Sequence, residues 1–306
     1  MDSARRLTRR RALAIGAGAL GVVVVGGAVG LELVDHGVLP GKSLLDQLDG
    51  ACDVTVPAFD FRPGETTESA SFYSRYRQRA VRYSVGYPPG YTKGAALPLV
   101  VMLHGEGGSH PPALAGITPG QAVSLLVDGQ PLPPMALVTV DGGKGYWHPH
   151  PGDDPMGMVV HELIPMLQRQ GLGTTPRSIG VMGNSMGGYG ALLFAECYPR
   201  LFSAVAAISP AIWTSYSQAN AVNAEAYNDA AQFAHYDAVT HTSALAGTPV
   251  RIASGYADPF HPGVVALASR LGSNAEVIYS GGCHTGRFFE SQEPASLAFL
   301  GAHLAA

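Results

Sequence analysis

The stretch Gly-Asn-Ser-Met-Gly-Gly at residues 183–188 lies between an apolar run, residues 178–182, and a helix-like run, residues 189–197. This order predicts a strand, a sharp turn and a helix, with a serine at the apex of the turn. Glycines on both sides of the serine allow chain segments to approach where a Cβ atom would clash. The spacing Gly183-x-Ser185-x-Gly187 is that of a nucleophile elbow, which lifts a serine hydroxyl above a parallel sheet. Ser185 is therefore the candidate nucleophile.

Short apolar runs, typical of strands buried on both faces, recur on either side of this turn. They lie at residues 97–103, 136–140, 178–182, 204–208, 250–253 and 275–279. Segments of helical length lie at residues 121–127, 155–169, 188–197, 263–271 and 291–304. Strands that alternate with helices predict an α/β fold with a mostly parallel central sheet flanked by helices on both faces. Two tyrosine-bearing segments, residues 69–76 and 79–87, predict an N-terminal β-hairpin.

The N-terminus has the pattern of a bacterial export signal. Five arginines lie within the first eleven residues, and residues 12–31 are apolar and uncharged. The arginine run resembles a twin-arginine motif, and the apolar stretch is long enough to span a bilayer. Residues 1–33 are thus predicted to be either a cleaved signal or a membrane anchor of an extracytoplasmic protein. Residues 34–67 are predicted to be a linker, and residues 68–306 the catalytic domain with an insert at residues 209–246.

Charge argues against nucleic acid as a partner. Without its first eleven residues the chain keeps 14 basic and 22 acidic residues, so it lacks the basic surface that binds phosphates. Contact with a membrane is expected only through the N-terminal segment.

The chain has three cysteines, and in an exported protein one pair can form a disulfide. A Cys52–Cys283 bridge is one option. Cys197 follows the serine turn within the predicted helix and is expected to be a small buried hydrophobe.

The remaining catalytic candidates follow from chain order, since a nucleophile elbow is followed by an acid and then by a histidine. Asp258 lies in the loop after the fifth core strand, and Asp237 is the weaker alternative. His284 lies in a glycine-rich loop after the sixth strand. His261 is close to the acid in sequence, and His303 lies near the end of the last helix, so we favour His284 as the base.

An oxyanion hole needs two backbone N–H donors. Met186 follows the nucleophile directly, and the second donor is expected after the first core strand, at Glu106 in the loop that begins with His104-Gly105. We expect the Glu106 carboxylate to point away or to be held by a cation, and His104 to support the loop.

Two further features of the chain concern the segment near residue 155. Asp153-Asp154-Pro155 predicts a capped helix start, and Pro165 predicts a kink or an end of regular helix. His148, His150 and Asp153 have metal-binding side chains, but thiolate pairs and H-E-x-x-H are absent from the sequence. We predict no metal and no cofactor.

Together these motifs resemble the putative esterase family of α/β-hydrolases, which includes esterase D (S-formylglutathione hydrolase), feruloyl esterases and mycolyltransferases. The run Tyr146-Trp147-His148-Pro149 is similar to an exported actinobacterial branch of that family. The resemblance implies an α/β-hydrolase fold and a Ser–His–Asp triad that hydrolyses small-molecule or lipid carboxylic esters without a cofactor. Aromatic residues of the insert either line a pocket or hold the insert to the body. The expected pocket residues are Trp147, His148 and Trp213.

Three functions remain open at this point. The first is an exported serine esterase that works through an acyl-enzyme. The second is an acyltransferase that moves an acyl group to a sugar or lipid alcohol, although His104-Gly105 departs from the Asp-Gly of the mycolyltransferases. The third is an inactive cell-wall binding module.

Overall fold

A computed structural model describes residue 46, residues 49–107 and residues 117–304 of the chain. The predicted leader at residues 1–33 lies outside the described residues. None of the helices within the described ranges is long and apolar enough to cross a membrane.

The centre of the molecule is a sheet of eight strands in the described part of the chain, in the order β1-β2-β6-β3-β7-β8-β9-β10. These strands are β1 (Thr66–Ser74), β2 (Arg79–Tyr87), β3 (Leu99–Leu103), β6 (Ala136–Val140), β7 (Ile179–Asn184), β8 (Ala204–Ile208), β9 (Val250–Gly255) and β10 (Ala275–Ser280). Strand β2 is antiparallel to β1 and β6, and the other neighbours are parallel. The predicted parallel sheet with an N-terminal hairpin is confirmed.

Helices cover both faces of this sheet. They are α1 (Pro119–Val123), α2 (Pro155–Met158, a π turn Val159–Leu163, then Ile164–Gln168), α3 (Met186–Cys197), α4 (Tyr216–Val222), α5 (Ala230–His235), α6 (His261–Ala268) and α7 (Gly286–His303). On β3, alternate side chains enter two different cores: Val101 joins the layer under α2 and α3, and Met102 joins the layer under α7. Burial on both sides explains why the central strands β3, β6 and β8 are continuous runs of mostly apolar residues.

Helix α2 begins where the sequence predicts, and its regular α-helical part is interrupted near Pro165. The Asp154 side chain caps it by accepting a hydrogen bond from the Gly157 N–H at 2.7 Å, and Pro155 occupies the first turn. The π turn ends at Leu163, two residues before Pro165, whose missing N–H and bulky ring disfavour regular α-helix in the preceding turn.

One predicted helix is wrong in part. The helix expected at residues 121–127 ends at Val123, and Leu126–Val127 form a short strand β4 paired with β5 (Gln130–Pro131). Asp128 and Gly129 both have positive φ, as a two-residue hairpin turn requires. The Asp-Gly pair therefore determines the local structure, and the apolar residues before it do not extend the helix.

The cysteines divide into one bonded pair and one thiol. Cys52 and Cys283 form a disulfide across 231 residues of sequence. Cys197 is exposed at the end of α3, so its predicted burial is wrong. Cys197, the last residue of α3, lies on the side of the helix that faces away from the core. Its neighbour Glu196 is the residue that is buried.

The insert at residues 209–246 contains α4, α5 and a 3₁₀ turn, Thr242–Leu245. Its Tyr227 is buried and stacks with His148, with ring centroids 4.9 Å apart. The Tyr189 hydroxyl of α3 donates a hydrogen bond to the Tyr236 carbonyl at 2.6 Å. These contacts hold the insert onto the body, at the carboxyl end of the parallel strands.

Candidate active site

Ser185 lies at the turn between β7 and α3 in a conformation that side-chain-bearing residues rarely adopt, with φ of 54° and ψ of −122°. The turn brings α3 so close to β3 that a Cβ on Gly187 would lie 1.9 Å from the Leu103 carbonyl oxygen. Only glycine fits there. The serine is held at the carboxyl edge of the sheet, partly exposed.

Two loops from distant parts of the chain meet Ser185. The Ser185 Oγ lies 2.8 Å from His284 Nε2, and His284 Nδ1 lies 2.9 Å from Asp258 Oδ2. The Asp258 side chain is buried, and its other oxygen accepts a hydrogen bond from the Phe260 N–H at 2.8 Å. The three side chains form one hydrogen-bonded series, from a buried carboxylate to a partly exposed hydroxyl.

The alternative residues point elsewhere. His261 Nδ1 lies 3.3 Å from Ser254 Oγ, and His303 Nδ1 donates to the Phe299 carbonyl at 2.8 Å within α7. Asp237 accepts a hydrogen bond from the Val239 N–H in the insert.

The loop after β3 lies against the nucleophile. A Cβ on Gly105 would lie 3.4 Å from the Cβ of Ser185, so this backbone passes beside the serine. His104 is buried, and its Nε2 accepts a hydrogen bond from the Gly142 N–H at 2.9 Å while Nδ1 lies 2.8 Å from the Gly105 carbonyl. His104 thereby ties the β3 loop to the β6 loop.

The two expected oxyanion donors occupy this same region. Met186 begins α3, and the first N–H groups of a helix have no acceptor within it. Glu106 is the second residue after the buried His104. Its carboxylate accepts a hydrogen bond from the Asn223 amide at 3.0 Å. This partner of the carboxylate is a neutral amide of the insert. It is not the cation that the sequence suggested as one alternative.

Two of the three expected pocket residues belong to the core, so these predictions are wrong. Trp147 is fully buried, and its indole N–H donates to the His104 carbonyl at 3.1 Å. His148 is also fully buried and stacks against Tyr227 and Tyr236. Burial and the nearby His150 lower the pKa of His148 to about 3, so it stays neutral and acts as an aromatic packing residue.

Trp213 does border open space. It is half-buried, packs edge-on against Phe260 at 4.7 Å between ring centroids, and lines a cleft with it. The sequence reading missed Phe260 and Phe289, whose rings lie 4.9 and 5.1 Å from the His284 ring. Phe260 follows Asp258 by two residues in the same loop, and that position is the signal which could have identified it.

This arrangement is suited to acyl transfer. An imidazole hydrogen-bonded to a hydroxyl can remove its proton, and a buried carboxylate at the other ring nitrogen fixes the ring tautomer. Within residues 49–107 and 117–304, no group of three or more histidine, cysteine or acidic side chains is placed to hold a metal ion.

Comparison with known families gives one match that covers more than half of the chain. The family model described as "Putative esterase" matches residues 74–259. No curated protein matches the chain at a significant level.

Solved structures share the fold at low sequence identity. A ferulic acid esterase is 15% identical with a TM-score of 0.65, and the match covers 80% of this chain and 100% of that one. An S-formylglutathione hydrolase from Agrobacterium tumefaciens is 18% identical with a TM-score of 0.61, over 82% and 100% of the two chains. The fluorophosphonate-binding serine hydrolase F of Staphylococcus aureus is 14% identical with a TM-score of 0.60, over 78% and 99%.

Proposed function

Because this chain belongs to the putative esterase family and is a carboxylic ester hydrolase, we propose that it works as a serine esterase with Ser185 as its nucleophile. The observation that carries the proposal is the hydrogen-bonded series from Ser185 through His284 to Asp258. Its substrates are small-molecule or lipid esters.

In the proposed mechanism, His284 removes the proton from Ser185 as the hydroxyl oxygen attacks the ester carbonyl carbon. Asp258 keeps the proton of His284 on Nδ1, so that Nε2 faces the serine as a base. The backbone N–H groups of Met186 and Glu106 stabilise the negative charge that develops on the carbonyl oxygen. His284 then gives its proton to the leaving alcohol, which leaves an acyl group on Ser185.

Water completes the reaction. His284 removes a proton from a water molecule, whose oxygen attacks the carbonyl carbon of the acyl-enzyme. The bond to the Ser185 oxygen then breaks, His284 returns the proton to that oxygen, and the acid is released. The Asn223 amide supports this step indirectly, since it engages the Glu106 carboxylate beside the proposed oxyanion donor. A free carboxylate turned toward that position would oppose the developing negative charge.

We also propose that the protein is exported, either secreted or anchored by residues 1–33. The arginine-led apolar segment supports this location, and so does the Cys52–Cys283 disulfide, since disulfides persist in oxidising compartments.

Hydrolysis of p-nitrophenyl acetate tests the proposed mechanism. Ser185→Ala should lower kcat/KM by at least about 10⁴-fold, because the covalent route is lost. Ser209→Ala is the matched control: this buried serine lies at the same edge of the sheet, and its hydroxyl has no hydrogen-bond partner among the described residues. Equal activity of Ser185→Ala and Ser209→Ala would refute the assignment of the nucleophile.

A further inference from the structure

An open cleft of about 370 Å³ lies beside the candidate active site, between helix α4 of the insert and the start of α6. Its volume is within the range of small-molecule sites. One wall comes from the insert and includes Trp213, Ala221 and Val222, and the other comes from Pro259 and Phe260 in the loop after β9.

The lining of the cleft is apolar. No charged side chain lines it. Its lining has two polar side chains, Thr214 and Gln218, which are hydrogen-bonded to each other: the Thr214 hydroxyl donates to Gln218 Oε1 at 2.5 Å. The Trp213 indole N–H also has a partner, since it donates to the Tyr146 hydroxyl at 3.2 Å. A charged ligand would lose its hydration here without a compensating ion pair, whereas an apolar group would gain from burial.

The cleft is connected to the site through both of its walls. Phe260 packs edge-on against His284, 4.9 Å between ring centroids, and Pro259 directly follows Asp258. On the opposite side, α4 ends at Val222, and the next residue, Asn223, bonds Glu106. A group in the cleft would therefore reach the reacting carbonyl from the side of the histidine.

We propose that this cleft binds the alcohol portion of the ester, and that the alcohol is uncharged and apolar, an alkyl chain of several carbons or a phenyl ring. This inference rests on the proposed function, in which His284 protonates the leaving oxygen. The group attached to that oxygen then lies next to the imidazole and the Phe260 ring.

The test compares two ester series. In alkyl acetates, from methyl to hexyl, each added methylene should raise kcat/KM of the wild type by roughly 3- to 4-fold until the cleft is filled. In p-nitrophenyl esters of increasing acyl length, the leaving group is constant, so this series reports on the other side of the ester.

Two variants change the cleft. Val222→Asp places a charge in the apolar lining and should reduce the gain per methylene to less than about 2-fold. Ala221→Trp fills space and should lower the ratio of hexyl acetate to methyl acetate kcat/KM by at least about 10-fold. Both positions are exposed, so neither substitution disturbs the core. Val265→Asp is the matched control, because Val265 is exposed on α6 and does not line the cleft.

The outcomes separate the two proposals. If Val222→Asp and Ala221→Trp reduce the rise of kcat/KM with alkyl chain length and Val265→Asp does not, the inference holds. If they flatten only the acyl series, or if the alkyl series is flat in the wild type, the inference fails while the esterase mechanism stands. If the wild type and Ser185→Ala hydrolyse no ester at different rates, the proposed function itself fails.

Discussion

At the scale of single residues, Ser185 combines an uncommon backbone conformation with complete backbone hydrogen bonding. Its N–H donates to the Ile208 carbonyl at 2.9 Å, and its carbonyl accepts from Tyr189 and Ala211, each at 3.0 Å. A residue in a sparsely populated region of φ and ψ costs about 1–3 kcal/mol and persists only where its surroundings determine it. The bonds to α3 and to the segment after β8 provide that restraint, and they hold the backbone that carries the hydroxyl.

A second residue, Glu196, should make the free energy of unfolding depend on pH. It is buried, and neither carboxylate oxygen has a hydrogen-bond partner within the part of the chain that the structure describes. Burial, with a smaller effect of Asp237, raises the pKa of Glu196 from 4.5 to about 9. Between these two values the native state keeps a proton that the unfolded state has lost. The free energy of unfolding should therefore fall as pH rises, by up to about 1.4 kcal/mol per pH unit.

Urea unfolding of the wild type and of Glu196→Gln, at about pH 6 and about pH 8.5, measures this effect. Glutamine mimics the neutral acid, so the variant should gain stability over the wild type at the higher pH. Burial also raises the pKa of Glu293, to about 8, but this contribution is common to both proteins. Glu225→Gln, at an exposed position of the insert, is the matched control for the loss of one carboxylate. A stability difference between Glu196→Gln and the wild type that is the same at both pH values would contradict the prediction.

At the scale of elements, the disulfide joins the segment that precedes the sheet to the loop that carries the candidate base. Cys283 is adjacent to His284, and the Arg287 guanidinium donates to the Val54 carbonyl at 3.1 Å. The segment at residues 49–62 also pairs with the body of the protein through an isolated antiparallel β-bridge between Phe61 and Leu125. Residues predicted to be a linker thus restrain the His284 loop.

Replacing both cysteines, Cys52→Ser with Cys283→Ser, should lower the free energy of unfolding by about 2–4 kcal/mol, because the bridge closes a long loop in the unfolded chain. The kcat/KM for p-nitrophenyl acetate should fall as well, because the loop next to His284 loses its restraint. Thermal unfolding of the wild type and of the double variant, with and without dithiothreitol, measures the change in stability. Cys197→Ser is the control. If the reductant changes neither the stability nor the activity of the wild type, the bridge has no such role.

Local sequence patterns predict some elements of this fold and fail to predict others. Core strands are apolar runs and helix α2 has its own cap, so local patterns predicted them well. The sequence does not predict the strand pair β4–β5, because Asp128-Gly129 is a short signal within a segment whose apolar content favours a helix. The sequence does not distinguish Trp147 and His148 from pocket residues, because large aromatic residues occur both in pockets and in cores and only tertiary contacts separate the two.

For the whole molecule, chain order was more informative than composition. A nucleophile turn, an acid and a histidine at the ends of successive parallel strands must lie at one edge of the sheet, so the sequence predicted that Ser185, Asp258 and His284 would meet. It did not predict the cleft, whose walls come from the insert and from the loop after β9. The contact between these walls, Trp213 with Phe260, joins residues far apart in the chain and follows no period or motif.

In the proposed mechanism, the oxygen of the Ser185 hydroxyl, activated by His284, is the reacting atom. Labelling of the folded protein with a fluorophosphonate, followed by mass spectrometry of its peptides, identifies the residue that reacts. We expect one phosphonylated residue, Ser185, and no labelling of Ser185→Ala or of protein unfolded in urea. Labelling of a different serine, or a folded wild-type protein that does not react, would contradict this mechanism.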